Sequence, residues 1–181
     1  RMADGKNVLV LNTVTITYDV IDAEGNTIKA GQTLTAGASL GIGDHRAACW
    51  PTTGNITQLP FEAGSYSHRN DDAYDIGASA GSKIFSPVSG VVTIKSFDAS
   101  GYGNYVQIRP DGYNFDLIFA HMHSPSVLSS GATVNIGELI GYVGDTGAIS
   151  TGSHLHYGAR PVEQGRSKLN PFLTSHGLTL P

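Results

Sequence analysis

The chain has 181 residues, 40% of them apolar and 8% aromatic, enough to bury the core of one domain with an appendage and too many for a disordered segment. Only 14% are charged, 23 are glycine and the formal net charge is −4, which leaves no basic footprint for nucleic acid or an anionic membrane surface. No apolar run approaches the roughly 18 residues of a spanning helix, so a transmembrane helix is excluded.

Many glycines and few charges predict short strands joined by tight turns. Val8-Leu9-Val10-Leu11 is a short apolar run, and Ile16, Tyr18 and Val20 alternate with polar neighbours as a half-buried strand requires. Ala23-Glu24-Gly25-Asn26 supplies turn chemistry before Thr27-Ile28 restarts an extended run, so a hairpin is expected. Residues 31–43 are rich in Gly and Ala without a clear period. Residues 1–48 read as an accessory β-segment or the stump of a preceding domain, and residues 49–181 as the main domain. The chain opens Arg1-Met2-Ala3-Asp4-Gly5 with no apolar stretch behind it, which reads as a cut or processed chain without a visible signal. Cys49 stands alone, so neither an intramolecular disulfide nor a cysteine-built zinc site is available, and it reads as a small buried hydrophobe.

Beyond Trp50 the β pattern sharpens. Ile84-Phe85 and Gly90-Val91-Val92-Thr93-Ile94 are short strand-like runs. Asn104 to Arg109 alternates, Pro110-Asp111-Gly112 turns, and Phe115 to Ala120 returns, an antiparallel hairpin. Glu138 to Val143 and Leu155 to Ala159 add two more strands, and one helical turn is expected near Ser126 to Ser129. The fold class is mainly β, antiparallel, with long loops and very little helix.

The seven histidines include two His-x-His pairs, His121-Met122-His123 and His154-Leu155-His156. On a strand, residues i and i+2 share a face, so each pair can aim two imidazoles at one point. A third cluster, Ser67-His68-Arg69-Asn70-Asp71-Asp72-Ala73-Tyr74-Asp75-Ile76-Gly77, sets one histidine among three carboxylates. Taken alone, Asp71 and Asp72 read as solvated loop charges. His68, one aspartate and one histidine from a later pair would make the His₂-carboxylate set of an open catalytic zinc site, which keeps its fourth position for water.

These blocks resemble the lysostaphin, LytM and LasA type of zinc endopeptidase (metallopeptidase family 23), which cuts peptidoglycan peptides. The likeness runs from about Trp50 to Pro171. It opens on Trp50-Pro51-Thr52-Thr53-Gly54 as a first strand and passes through the His68-to-Gly77 segment to Gly81-Ser82-Lys83-Ile84-Phe85-Ser86-Pro87-Val88. Tyr102-Gly103-Asn104-Tyr105-Val106, Phe119-Ala120-His121-Met122, Gly137-Glu138-Leu139-Ile140-Gly141-Tyr142-Val143-Gly144-Asp145-Thr146-Gly147 and Ser153-His154-Leu155-His156-Tyr157 complete it.

The resemblance implies a sandwich-like peptidase core, one Zn²⁺ per chain, and His68, Asp75 and His156 as its ligands. His121 and His154 become the catalytic histidines, with His154 assigned as base and His121 as stabilising substrate or oxyanion, roles that the two could exchange. It further implies a peptidoglycan peptide substrate, a monomer, and an extracellular, periplasmic or cell-wall location. Two departures stand out. Six residues separate His68 from Asp75 where three are commonest, which leaves Asp72 as a rival ligand; Asp75 is preferred because it directly precedes Ile76-Gly77. Gly158-Ala159-Arg160 follows His156 where an acid is more usual, a change expected to affect packing.

Tyr102, Asn104 and Tyr142 are candidates to line the cleft. His123 is assigned no role, and His45 and His176 read as surface or packing residues. Three rival readings remain: a catalytically silent relative, which would lack one or more of the five site residues; a structural or virion-associated component with residues 1–48 in an assembly domain; and latency, with His45 or Asn55 covering the zinc.

Overall fold

The computed structural model describes residues 9–21, 27–41, 50–63, 68–178 and 180–181. The chain divides into two compact units, Arg1–His45 and Arg46–Pro181. In the first, β1 (Leu9–Ile21) pairs antiparallel with β2 (Thr27–Gly41), from Leu9 opposite Gly41 to Ile21 opposite Thr27. The expected hairpin is therefore present, and its second strand runs on through the Gly/Ala stretch that showed no period. The turn at residues 23–26, the side chains of Ile16, Tyr18 and Val20, His45 and Cys49 lie outside what is described.

The second unit is built on a seven-stranded antiparallel sheet. Its strands are β3 (Asn55–Gln58), β4 (Ala73–Gly77), β6 (Gly90–Asp98), β7 (Gly103–Pro110), β8 (Asp116–Met122), β9 (Thr133–Val134) and β11 (His154–Arg160), in the spatial order β3-β4-β11-β8-β7-β6-β9. A smaller sheet pairs β5 (Lys83–Phe85) with β10 (Leu139–Tyr142) and sends Ile84 and Ile140 into the common core. All seven residues of β8 are buried, which is why the run Leu117-Ile118-Phe119-Ala120 is continuously apolar: a strand covered on both faces has no polar side to show. Phe119 and Tyr157 face each other across β8 and β11 and stack with ring centroids 5.2 Å apart.

Two expectations are corrected. Trp50 to Gly54 forms bends and no strand; β3 begins at Asn55, and Trp50 packs edge-on against Tyr74 at 5.1 Å. The segment around Ser126 to Ser129 is not helical, because its groups bond to β10 instead of to their own turn: the Ser126 hydroxyl and the Val127 amide both donate to the Ile140 carbonyl. The helix is α1 (Leu169–Ser175), which buries Leu169, Phe172 and Leu173. Among the described residues no helix is long and apolar enough to cross a membrane.

Candidate active site

Strand register assembles the site. His156 lies opposite Asp75 on one side and opposite Ala120 on the other, because β11 is inserted between β4 and β8. His154, two residues before His156, shares its face. His68 precedes β4 and is fully buried. The three atoms His68 Nε2, Asp75 Oδ1 and His156 Nδ1 form a near-equilateral triangle, with sides of 3.2 Å (His68–Asp75), 3.1 Å (His156–Asp75) and 3.3 Å (His68–His156).

The donor set fits zinc. Ligand bonds of about 2.0–2.1 Å in a tetrahedral shell put neighbouring ligand atoms about 3.3 Å apart, so the triangle matches one face of such a shell. His68 Nδ1 lies 3.3 Å from the Leu59 carbonyl, which only accepts, so that nitrogen donates there and Nε2 is the atom that would face a bound ion.

Asp72, the rival, does different work. Its carboxylate accepts from the Ser167 hydroxyl at 2.6 Å and from the Lys168 and Leu169 amides at 2.6 and 3.1 Å, closing the start of α1. Asp72 is thus the acceptor for the exposed amides at the helix N-terminus, supplied from the far side of the sequence.

His121 and His154 stand beside the triangle with ring centroids 4.7 Å apart, and His154 Nε2 is 3.6 Å from Asp75 Oδ1. Both rings are held the same way. His121 Nδ1 donates to the Thr146 carbonyl at 2.8 Å, and His154 Nδ1 to the Gly152 carbonyl at 2.7 Å, so each keeps a lone pair on Nε2. His121 has φ = 57°, which swings its side chain out of the strand's alternation. The expectation that His121 and His123 share a face fails for that reason: His121 is buried and His123 exposed. His176 is a packing residue, its ring 4.3 Å from that of Phe172.

A cleft of about 740 Å³ opens over these residues. Tyr102 lines it, as expected, together with Thr57, Glu62 and Ile149. Asn104 and Tyr142 do not: the Asn104 amide instead donates to the Met122 carbonyl at 3.3 Å. Asn55, named for latency, is an exposed residue of β3 outside the cleft lining.

Behind His156 lies a layer that sequence reading missed. Arg160 Nη2 donates to Asp71 Oδ2 at 3.0 Å and to the Tyr102 hydroxyl at 2.6 Å, and lies 3.2 Å from His156 Nε2. Arg160 Nη1 sits 2.8 Å from Asp71 Oδ1, close enough for an ion pair though not aligned for a hydrogen bond. Asp71 is therefore no solvated loop charge, and Arg160 does more than pack. The signal was available, since residues 156, 158 and 160 share one strand face. Gly158 keeps that face open: a Cβ there would meet Ala73, the Asp72 carbonyl and the Arg160 guanidinium.

Burial works against charge on Asp75, but hydrogen bonds with His156 and His68 outweigh it and hold the carboxyl below the usual range. Burial is also the largest influence on His68, and there the nearby Asp75 and Asp71 outweigh it and raise the imidazole. Burial lowers His156, and it pushes His121 down to about 4 despite the Thr146 carbonyl.

A pH effect follows. Between pH 6.5 and about 4 an unfolded chain protonates the His121 position while the folded one does not. Metal-free protein should therefore lose on the order of 2 kcal/mol of stability as pH falls through that window. The raised His68 does not cancel this, since its contribution is complete below 6.5 and fades only as pH rises through its higher folded value. Urea midpoints at pH 6 and pH 4.5 measure the difference; equal midpoints would count against a buried neutral His121.

Comparison with known proteins fits this arrangement. The sequence profile of peptidase family M23 matches residues 69–171, more than half of the chain. The chain belongs to peptidase family M23. Over 105 residues the M23 domain is 41% identical to DD-carboxypeptidase/endopeptidase Mpg of Neisseria meningitidis, which covers 58% of this chain and 23% of that protein. Over 83 residues it is 40% identical to an uncharacterized metalloprotease of Haemophilus influenzae, covering 46% of this chain and 17% of that one. The chain thus spans about a fifth of the length of these curated relatives. The catalytic domain of the antimicrobial peptidase lysostaphin from Staphylococcus simulans shares the fold, with a TM-score of 0.54 at 21% identity over 68% of this chain and 92% of that one.

Proposed function

We propose that residues 49–181 form a zinc-dependent endopeptidase that hydrolyses peptide bonds in peptidoglycan stem or cross-bridge peptides, with residues 1–48 as an accessory β-segment. Such a substrate places the protein outside the cell, in the periplasm or at the cell wall. The observation that carries the reading is the 3.1–3.3 Å triangle of His68, Asp75 and His156 with two tautomer-fixed imidazoles beside it. Family M23 membership and relatives named as a metalloprotease and an endopeptidase support it.

His68 Nε2, Asp75 Oδ1 and His156 Nδ1 would hold the ion. Zinc, when bound, supplies Lewis acidity that polarises a carbonyl and brings a water's pKa to about 7. The remaining work falls to the chain's own groups. His154 presents its Nε2 lone pair toward the cleft and is less buried than His121. His154 accepts the proton of the attacking water and passes it to the leaving amine.

His121 is held neutral with its Nε2 lone pair inward, which suits an acceptor that orients water or a substrate N–H. Of the two roles expected for it, this favours holding substrate over stabilising an oxyanion. Tyr102, its phenol raised above the usual range chiefly by burial, stays protonated on the cleft wall.

The deciding experiment measures metal content and release of peptidoglycan fragments by wild type and His68→Ala. About one zinc per chain with hydrolysis, both lost in the variant, is the expected result. Zinc without hydrolysis of any peptidoglycan would leave a silent cell-wall module, and no zinc in the wild type would remove the mechanism altogether.

A further inference from the structure

One loop, residues 145–152, supplies the acceptors that fix both catalytic imidazoles, and its two ends are secured differently. At the first end Thr146 is tied to the sheet. Its hydroxyl donates to the Met122 carbonyl at 2.7 Å and accepts from the Asn104 amide at 2.9 Å, so the carbonyl that receives His121 Nδ1 is held by β7 and β8. At the second end Gly152, the partner of His154 Nδ1, has φ = +148° and lies outside any strand. What holds it is Asp145. The Asp145 Oδ1 atom accepts from the Gly152 amide at 3.0 Å and from the Ser150 hydroxyl at 2.5 Å. The Ser150 hydroxyl is itself 3.2 Å from the Gly152 carbonyl and 3.4 Å from His154 Nδ1. These bonds, Ser150 first, hold the Asp145 carboxyl below its usual range although it is exposed.

We propose that Asp145 is a positioning residue for His154: by fixing Ser150 and the Gly152 peptide it aims the Gly152 carbonyl at Nδ1, and so keeps the His154 lone pair on Nε2, toward the cleft. This rests on His154 serving as base. It requires only an acceptor oxygen at position 145, without the negative charge. It also leaves His121 independent of Asp145, because Thr146 is anchored to the sheet.

The test uses the full zinc-loaded chain with ¹⁵N-labelled histidine, comparing wild type, Asp145→Ala and Asp145→Asn; His154→Ala and His121→Ala spectra assign the signals. In Asp145→Ala the His154 signature should shift from Nδ1–H toward a mixture with Nε2–H, while His121 keeps the wild-type pattern. Turnover of soluble peptidoglycan fragments should fall about 10- to 100-fold in kcat with KM little changed, the size expected of a misplaced group. Asp145→Asn should restore both readouts, since its amide oxygen accepts the same two bonds.

A wild-type His154 signature in Asp145→Ala would overturn the proposal. So would parallel changes at His154 and His121 with a lowered melting temperature, which mark general loosening, and so would an Asp145→Asn that behaves like the alanine variant. Were the wild type to lack peptidase turnover, the function proposed above would fail, and the tautomer signatures alone would still decide the role of Asp145.

Discussion

Alanine at His154 is expected to lower kcat on peptidoglycan fragments by about 10²–10⁴, the usual worth of a positioned acid–base group, while zinc stoichiometry stays that of the wild type. The size follows from its two-sided setting. Gly152 fixes the hydrogen on Nδ1, and Nε2 lies 3.6 Å from Asp75 Oδ1, so the ring reaches the site without belonging to the donor triangle. His121→Ala should also keep zinc but lose less, because in the proposed mechanism that ring orients and does not carry the proton. The double variant should be little worse than His154→Ala alone, as groups acting in one step are not additive. Metal analysis beside kcat and KM checks all three. Loss of zinc in His154→Ala would make His154 a ligand and overturn this division of labour.

Alanine at Gly147 should damage both stability and catalysis, by a route that involves no chemical group. Gly147 has φ = +91°, and a Cβ there would run into the Gly101 carbonyl and the Gly103 backbone. Gly103 faces it with φ = +62°, and a Cβ on Gly103 would strike Thr146. The three nearest atoms are all backbone, so none of them can swing aside as a flexible side chain would. The loop must lift from the start of β7, and the Thr146 carbonyl leaves His121. We expect Gly147→Ala to cost about 3 kcal/mol or more in urea unfolding, since a forbidden φ and an overpacked contact add, with kcat reduced in the fraction that folds. Gly137→Ala is the comparison: φ is +78° there but nothing lies within 4 Å of the new Cβ, so only the smaller backbone penalty applies. Equal losses in the two variants would show that the crossing of loop and strand carries no weight.

The parts of the fold that were legible in the sequence are those written in local pattern. The alternation from Asn104 to Arg109 with its Pro110-Asp111-Gly112 turn became β7 and the turn into β8, and the β-branched run after Gly90 became β6. What stayed hidden depends on distant partners. β4 is five residues with four of them buried and no alternation to read. Helix α1 is only seven residues long and contains Pro171, and the carboxylate that closes its start sits at Asp72, 97 positions before Leu169.

The site divides in the same way. The shared face of His154 and His156 followed from strand periodicity and their roles from the family resemblance, whereas the partner of His121 proved to be Thr146 and not His123, because of one left-handed residue. Asp75 was preferred over Asp72 on the Ile76-Gly77 that follows it, and the register that sets Asp75 opposite His156 was not readable from the sequence. Arg160 was readable from the face it shares with His156. Asp71, its partner, was not.

The insertion of β11 between β4 and β8 has a consequence for when the molecule can act. A chain that ends before residue 154 holds His68, Asp75 and His121, but its large sheet is in two halves, β3–β4 and β8–β7–β6–β9, that share no strand ladder. The strand that joins the halves also brings His154 and the third donor, His156. On the proposed mechanism, the full donor set and the completed sheet therefore depend on the same strand, and a chain that lacks β11 should be inactive.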